Sequence, residues 1–319
     1  MPETFGDVVR AVRQHVTLAP PLLCRQWVKE AWQELMRSRI EWSFLRAESE
    51  FLINVSKGGT CNVTRGSASV SGGTLVYASS DVNRQFRTGS GTPIYTIVAA
   101  SATSYTLDRV FGGSTATPTA TVFDAYVTAP SDWASYIAVL DVSNGWQLNI
   151  WMTADEVNYV DPQRSYTGTP WAVAGRRYVT AGSPSLVGRV QHELYPYQLA
   201  EKNYPFYYFK RFPELTEDLL LPGPVQDRSD VLIHLALSRA AAWPGTADIK
   251  NPYYNSGLAA AEYSKFKEAA ARLEVIDEEI YMTWLETVNV RRIPFAPVDS
   301  AYAQVHDIDS APLALGWLS

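Results

Sequence analysis

Hydrophobic residues repeat along this chain with two different periods, and the period changes twice between the two ends. Near the N-terminus, Leu23, Trp27 and Ala31 recur every four positions, and similar spacing returns late in the chain. Spacing of three or four residues places apolar side chains on one face of a helix. No such stripe can bury itself alone, so we expect the helices of residues 5–39 and 227–287 to form one bundle.

The longest predicted helix covers residues 256–287 and would be about 45 Å long at 1.5 Å per residue. Its apolar stripe consists of Phe266, Ala270, Leu273, Ile276, Ile280 and Trp284. A stripe of this kind is typical of a packed core, and we interpret it as core rather than as a cofactor-binding face. The acidic run Asp277–Glu279 is assigned to the solvated side of the helix.

Between the helical segments the pattern changes to strict alternation. From Val55 to Phe123, glycine, serine and threonine crowd into short alternating runs such as Ser67–Ser71, with glycine pairs between the runs. Alternation bounded by glycine-rich turns predicts a small antiparallel β-module. An insertion leaves and rejoins its host at one place, so the ends near Val55 and Tyr126 should lie close together.

A second, less regular β-rich region follows, in which prolines separate short strands. Its best strand candidates are Tyr136–Val142, Trp146–Met152, Arg177–Thr180, Val190–Leu194 and Tyr204–Phe209. After residue 290 three prolines, Pro294, Pro297 and Pro312, interrupt an apolar segment that shows no helical period.

The predicted fold class is therefore α+β: a helical bundle with a large inserted antiparallel β region, either a small barrel or a sandwich, and an extended C-terminal arm. The predicted domains are the helical bundle at residues 1–55 and 222–290, the inserted β-module at 56–127, a second β-rich region at 128–221 that returns to the bundle, and the arm at 291–319.

The composition of the chain narrows the range of possible functions. The chain has 319 residues, of which 46% are hydrophobic, so two or three compact units are possible. Its net charge of −6 argues against a protein that grips DNA electrostatically, but not against one that surrounds DNA. No apolar run approaches the roughly 20 residues that span a bilayer, and no signal-peptide pattern opens the chain. We expect a soluble, non-secreted protein without membrane contact, whose Cys24 and Cys61 are reduced structural thiols.

The sequence lacks a recognisable catalytic or metal-binding motif. His192–Glu193 has no second histidine at the spacing of a zinc helix, and Gly89–Gly91 lacks the third glycine of a dinucleotide-binding turn. Asp307 and Asp309 form a bare acid pair without further oxygen ligands. We therefore expect a protein that is not an enzyme and that has no catalytic residues, no cofactor and no metal. The aromatic content of 12% fits either large protein contacts or a β core.

Several segments, in their order along the chain, resemble the head-to-tail adaptor (connector or neck) proteins of tailed bacteriophages. They are the hairpin Val63–Gly72 of pattern Val-Thr-x-Gly-Ser-x-x-Val-Ser-Gly, the strand Arg84–Arg87, the pair Tyr95–Ile97 and Tyr105–Arg109, the stretch Tyr204–Pro224, and Asn251–Tyr254 before the last helix. The resemblance covers roughly residues 5 to 290, and the order of these segments is more specific than any one of them.

The resemblance implies a virion protein that forms a ring of twelve subunits beneath the portal, assembled in the host cytoplasm. Such a ring extends the DNA channel, so that double-stranded DNA passes through without sequence-specific binding, and it offers a platform to tail or nozzle proteins. In relatives the C-terminal segment docks on the portal, which here would be residues 291–319. The portal-docking residues implied by position and apolar character are Ile293, Phe295, Leu313, Leu315, Trp317 and Leu318.

Two alternatives stay open at this point. The apolar C-terminal segment could be a disordered tail or a strand docked on its own fold, instead of an arm that a partner orders. The whole protein could belong to another class, a tail-associated carbohydrate- or receptor-binding protein, with aromatic side chains as stacking platforms. Symmetry distinguishes the classes, because receptor binders are usually trimeric whereas an adaptor matches the portal ring.

Overall fold

The computed structural model describes residues 4–39, 41–89, 92–179, 187–216, 219–245 and 250–288. The chain divides into two compact units: a helical unit from Met1–Arg46 and Phe209–Val290, and a β unit from Ala47–Tyr208. The predicted α+β class, with a large antiparallel β region inserted between helical segments, is confirmed. The predicted arm, residues 291–319, lies outside the described residues.

Four of the six helices described lie close to their predicted positions. In chain order, those described are α1 (Phe5–His15), α2 (Pro21–Ser38), α3 (Ala154–Val160), α4 (Gly223–Asp227), α5 (Asp230–Ala242) and α6 (Ser256–Val288). All except α3 belong to the helical unit. Thr4 and Asp7 form a capping box that begins α1, and Pro20 and Pro21 separate α1 from α2.

Helix α5 is the centre of the helical unit, because it packs against α1, α2 and α6. Its buried side chains include Val231, Leu235 and Ala240, which point in several directions around the helix. Ser238 and His234 on one face contact α6, whereas Arg239 on another face contacts α2. Helices α2 and α6 therefore cover different faces of α5.

The inner face of α6 was predicted only in part. Phe266 and Leu273 are buried, as expected, but Ile280 is 46% exposed and is not a core residue. Asp277, which the sequence assigned to the solvated side, is completely buried. Ser43 begins the short 3₁₀ turn Ser43–Leu45, and its backbone N–H donates to both Asp277 carboxylate oxygens at 2.9 and 3.0 Å. Those hydrogen bonds satisfy the carboxylate, so the buried stripe can include a charge. The side chain of Trp284 lies outside the described residues.

The strands belong to three antiparallel sheets. In chain order they are β1 (Arg46–Ile53), β2 (Lys57–Thr60), β3 (Asn62–Val63), β4 (Ser69–Ser71), β5 (Gln85–Arg87), β6 (Tyr95–Ala100), β7 (Ser104–Leu107), β8 (Thr119–Phe123), β9 (Tyr126–Thr128), β10 (Trp133–Asp141), β11 (Trp146–Gln147), β12 (Ala172–Tyr178), β13 (Val190–Tyr195) and β14 (Lys202–Lys210). The predicted strand at residues 146–152 is present only as the two residues of β11.

The inserted module, residues 57–123, is a barrel-like sheet with strand order β2-β8-β5-β6-β7-β4-β3. The sheet closes on itself because Val63 pairs with Val70 of β4 on one side and with Ala116 on the other. Its interior holds a separate apolar cluster that includes Phe86, Ile97 and Tyr105. The module therefore has its own core.

The remaining strands form two sheets, β1-β14-β10-β11 and β12-β13-β9. Both sheets contribute to one apolar cluster, in which Phe51 of β1 and Phe206 of β14 stack at 4.2 Å between ring centroids. This second β region is therefore a small sandwich. Residues 46–53, which the predicted domain bounds placed with the bundle, pair instead with β14, so the unit boundaries fall at residues 46 and 209 rather than 55 and 222.

Candidate interaction surfaces and buried polar networks

All six predicted portal-docking residues lie outside the described residues. They are Ile293, Phe295, Leu313, Leu315, Trp317 and Leu318. The described residues offer other candidates: two buried polar networks, one aromatic surface, one small cavity, and the solvent faces of the long helices.

The first network lies at the neck of the inserted module, where the chain enters at Asn54 and returns at Asp124. The backbone N–H of Asn54 donates to Asp124 Oδ2 at 2.7 Å, which confirms that the two ends lie close together. Arg84 reaches back from the module to the same place. Its Nε donates to Asp124 Oδ1 at 2.8 Å, and its Nη2 donates to the Val55 carbonyl at 2.9 Å. One buried guanidinium thus joins both ends of the insertion to the module.

Asp81 completes the neck network. Its carboxylate is almost fully buried and accepts from Lys57 Nζ at 2.8 Å, Arg84 Nη1 at 3.1 Å and the Tyr105 hydroxyl at 2.5 Å. Burial alone would raise the pKa of Asp81, but the hydrogen bonds from Lys57, Tyr105 and Arg84 outweigh burial and hold that pKa below its ordinary value of 3.8. Burial, together with the adjacent Asp81, raises the pKa of Tyr105. The network is structural, because its buried groups are paired with one another.

The second network lies between the sandwich and the loop after α3. Arg164 Nε donates to Glu193 Oε1 at 2.6 Å, and the Tyr197 hydroxyl donates to the same oxygen at 2.8 Å. Arg87 of the module donates to the Arg164 carbonyl at 2.7 Å. Burial, with a contribution from Glu193, raises the pKa of Tyr197. These bonds connect β5, the loop and β13, which fixes the position of the short helix that precedes the loop.

The aromatic surface surrounds α3, a helix that the sequence analysis missed. Thr153 and Glu156 form a capping box at its start, and that Thr-x-x-Glu pattern was the signal in the sequence. Val157 is buried on one side of α3, whereas Tyr159 on the other side is 91% exposed and Trp151 just before the cap is 83% exposed. Large aromatic side chains this exposed are typical of contact surfaces.

A small cavity lies between the module and the sandwich. It has a volume of about 100 Å³ and is lined in part by Asn83, Asp108 and Arg177. Arg177 is already occupied, because its guanidinium stacks 3.6 Å from the Tyr126 ring centroid and donates to Gln191 at 3.1 Å. Ligand pockets usually measure roughly 300–1,000 Å³, so this cavity is too small for a substrate of ordinary size.

Two of the described histidines, His192 and His234, are used in packing and in contact with a carboxylate. His192 lies between the rings of Trp133 and Tyr136, each 4.8 Å away between centroids. His234 Nδ1 is 2.7 Å from Glu262 on α6. Within the described ranges no three histidine, cysteine or acidic side chains are arranged to hold a metal ion. None of the helices described is both long enough and apolar enough to cross a membrane.

Comparison with known proteins gives no further identification. No protein-family model matches the chain, and no curated protein matches it. The case for a function therefore depends on the order of the sequence segments and on the surfaces of the two units.

Proposed function

We propose that this chain is a structural virion protein that forms a ring, of about twelve subunits as the resemblance implies, between the portal and the tail of a tailed bacteriophage. The ring extends the DNA channel and serves as the platform for tail attachment. The observation that carries the proposal is the organisation of the chain: a helical unit built from both flanks of a closed β-module and its sandwich. The segments that carry the resemblance are distributed over this organisation, from the hairpin at Val63–Gly72 in the module to Asn251–Tyr254 before α6.

Two physical features support a role in an assembly. The neck of the module is pinned by Arg84 at both of its ends, so the module can hold a fixed orientation within the β unit. The net charge of −6 suits a channel wall, because clustered basic residues would retard DNA whereas an acidic or neutral wall lets it slide.

Electron microscopy of the purified full chain, alone and with its portal protein, tests the proposal. We expect closed rings that stack coaxially on the portal and match it in symmetry. Native mass spectrometry gives the number of subunits independently. A protein that stays monomeric in both preparations, or forms only trimers, would contradict the proposal.

The docking residues can be tested by deleting Ala311–Ser319. We expect the melting temperature to stay nearly unchanged and stable attachment to the portal to be lost, because several apolar anchors act together and Trp317 is the expected hot spot. If the shortened protein joins portal-bearing heads as well as the full chain does, docking belongs to another segment.

A second candidate, a tail-associated carbohydrate- or receptor-binding protein, is favoured by one specific observation, the exposure of Trp151 and Tyr159. Exposed indole and phenol rings can stack on the apolar face of a sugar ring. Calorimetric titration with host surface polysaccharide tests it, with Trp151→Ala as the variant and Tyr254→Ala, an exposed aromatic residue of the helical unit, as the matched control. Binding lost only in Trp151→Ala would favour this candidate.

A further inference from the structure

One side of α3 combines exposed aromatic rings with an exposed carboxylate. Asp155 and Tyr159 are four residues apart in the helix, so they lie on the same side of it, and both are exposed. Trp151, two residues before the Thr153 cap, adds a second exposed ring at the start of the helix. Val157 packs on the other side, against the sandwich. We call Trp151, Asp155 and Tyr159 the α3 face.

The α3 face carries a negative charge that the described part of the chain does not use. Of the nearby acids, Glu156 accepts from the backbone N–H of Thr153, and Asp161 accepts from the backbone N–H of Tyr166. The Asp155 carboxylate, in contrast, has no hydrogen bond or ion pair with any of the described residues. The sequence from residue 151 to residue 163 contains no lysine or arginine. The face therefore offers a binding partner two rings and one unshared carboxylate.

A segment of matching chemistry follows α6 in the sequence. Residues 291–297, which lie outside the described residues, have the sequence Arg-Arg-Ile-Pro-Phe-Ala-Pro. Arg291, Pro294 and Pro297 follow one another at intervals of three, and Arg292 adds a second positive charge. Prolines at this spacing favour the polyproline II conformation, whose three residues per turn place such residues along one edge. Grooves lined by aromatic rings bind Pro-x-x-Pro segments in this conformation.

We propose that residues 291–297 of one subunit bind the α3 face of the next copy of this chain. Arg291 pairs with Asp155, and the two prolines pack on the rings of Trp151 and Tyr159. The inference rests on the proposed ring and names a subunit contact within it. A ring needs a heterologous contact, in which two different surfaces of the same chain meet. The α3 face belongs to the β unit, whereas the segment follows a helix of the helical unit, so the two are different surfaces.

This contact leaves the predicted portal anchors available. In the polyproline II conformation, Ile293 and Phe295 lie on the two other edges of the segment, and the apolar residues 313–318 come later in the chain. Prolines also restrict the free segment, which lowers the entropy lost on binding. Deleting Ala311–Ser319 should therefore prevent attachment to the portal without preventing ring formation.

Charge reversal with mixing tests the contact in the full chain. One variant carries Asp155→Arg, and the other carries Arg291→Asp with Arg292→Asp. In each variant alone, the face and the segment have charges of the same sign, so we expect the concentration needed for rings to rise roughly 10-fold. An equal mixture restores opposite charges at every contact when the two variants alternate, and rings should form again near the wild-type concentration.

Matched controls reverse charges elsewhere in the β unit. Glu48→Arg and Arg65→Asp are at exposed positions outside the α3 face, and both variants should assemble as the wild type does. Pro294→Ala together with Pro297→Ala keeps the charges but removes the polyproline II preference, and should also raise the concentration needed for rings. Circular dichroism checks that every variant is folded.

Photo-crosslinking distinguishes the next copy from the same chain. A full chain with benzoylphenylalanine in place of Tyr159 is mixed with ¹⁵N-labelled wild type before assembly and then irradiated. We expect crosslinks to peptides that contain residues 291–297, both labelled and unlabelled. The same probe in place of Tyr254, an exposed residue of the helical unit, should not capture this segment. Capture of unlabelled segments alone would place the segment on its own chain and overturn the proposal.

The outcomes separate this contact from the proposed function. If wild type forms rings and each charge variant forms them equally well alone, or if the mixture does not restore assembly, the contact is overturned while the ring stands. If the segment variants assemble normally and Trp151→Ala loses only polysaccharide binding, the α3 face serves the second candidate function instead. If wild type forms no ring, alone or with its portal protein, the proposed function itself fails.

Discussion

The helical unit and the inserted module are held together in different ways. In the helical unit, helices from both ends of the chain meet through apolar faces, and Asp277, a carboxylate buried on α6, is satisfied mainly by a backbone turn. The module has its own apolar cluster, but its neck depends on the buried charges of Arg84, Asp81 and Asp124. Apolar faces can be recognised from periodicity, whereas a buried charge network depends on residues that only the fold brings together.

Replacing Arg84 should reduce the free energy of unfolding more than any other change, because this guanidinium is shared by the buried carboxylates of the neck. In Arg84→Met, the carboxylates of Asp81 and Asp124 stay buried without their shared guanidinium, and we expect a loss of about 3–5 kcal/mol in the free energy of unfolding. Urea denaturation measures the loss, and hydrogen exchange of residues 57–123 localises it. The exposed Arg65→Met should change stability by less than about 0.5 kcal/mol. Equal effects at both positions would mean that the neck is not held by charge.

The pH dependence of stability tests the same network independently. Since the pKa of Asp81 in the folded protein is below its ordinary value of 3.8, the charged carboxylate stabilises the fold above that value. That contribution is lost as the pH falls through the lower, folded pKa. The stability difference between wild type and Asp81→Asn should therefore shrink as the pH falls from 7 to below 3.8. If the stability difference between the two proteins is constant with pH, the charge of Asp81 is not what stabilises the fold.

In the helical unit the next largest effect is expected at Leu273. This side chain is fully buried in α6, so Leu273→Ala should lose about 2–5 kcal/mol through the cavity that it leaves. Ile280 has the same helical spacing but is 46% exposed, so Ile280→Ala should cost less than about 1 kcal/mol in the isolated chain. Urea denaturation compares the two variants. Equal losses would place Ile280 in the core, as the periodicity alone had suggested.

Leu273 and Ile280 show how much of the fold the sequence could predict. Helical spacing located α1, α2, α5 and α6 within a few residues, and glycine-bounded alternation located the module. Spacing could not show where neighbouring helices stop covering α6, so Ile280 was wrongly placed in the core. It also could not show that Asp277 would meet the backbone of a turn more than two hundred residues earlier in the chain.

The module shows a similar limit at its turns. The pair Gly72–Gly73 marked a turn correctly, whereas Gly58–Gly59 lies inside β2, and the reason for Gly73 is a long-range contact. Its φ is +74°, and a Cβ there would lie 2.1 Å from the carbonyl oxygen of Thr60. Of the candidate surfaces, only the start of α3 carried a local signal, the Thr153–Glu156 capping box.

The N-caps of α1 and α3 allow the two units to be compared through smaller expected losses of stability. Both contain a capping box, Thr4 with Asp7 in α1 and Thr153 with Glu156 in α3. Thr4→Ala and Thr153→Ala should each cost about 1 kcal/mol, because each leaves one backbone N–H of the first turn without its side-chain acceptor. Thermal melts measure both, with the conservative Ser variants as controls that keep the hydroxyl. A cost at Thr153 well below that at Thr4 would mean that the sandwich holds α3 without its cap.

The smallest effect is expected at Trp151, whose neighbour Met152 provides a contrast within one segment of the β unit. Trp151 is 83% exposed, so removing its ring in Trp151→Ala exposes almost no buried surface and should change the free energy of unfolding by less than about 0.5 kcal/mol. Met152 is buried with Val157, and Met152→Ala should cost about 2–5 kcal/mol. Urea denaturation of both variants measures the two losses in the free energy of unfolding. A large loss at Trp151 would make the indole part of the fold. A negligible loss would leave the ring without a stabilising role in the isolated chain, as expected of a residue that serves a contact with another molecule.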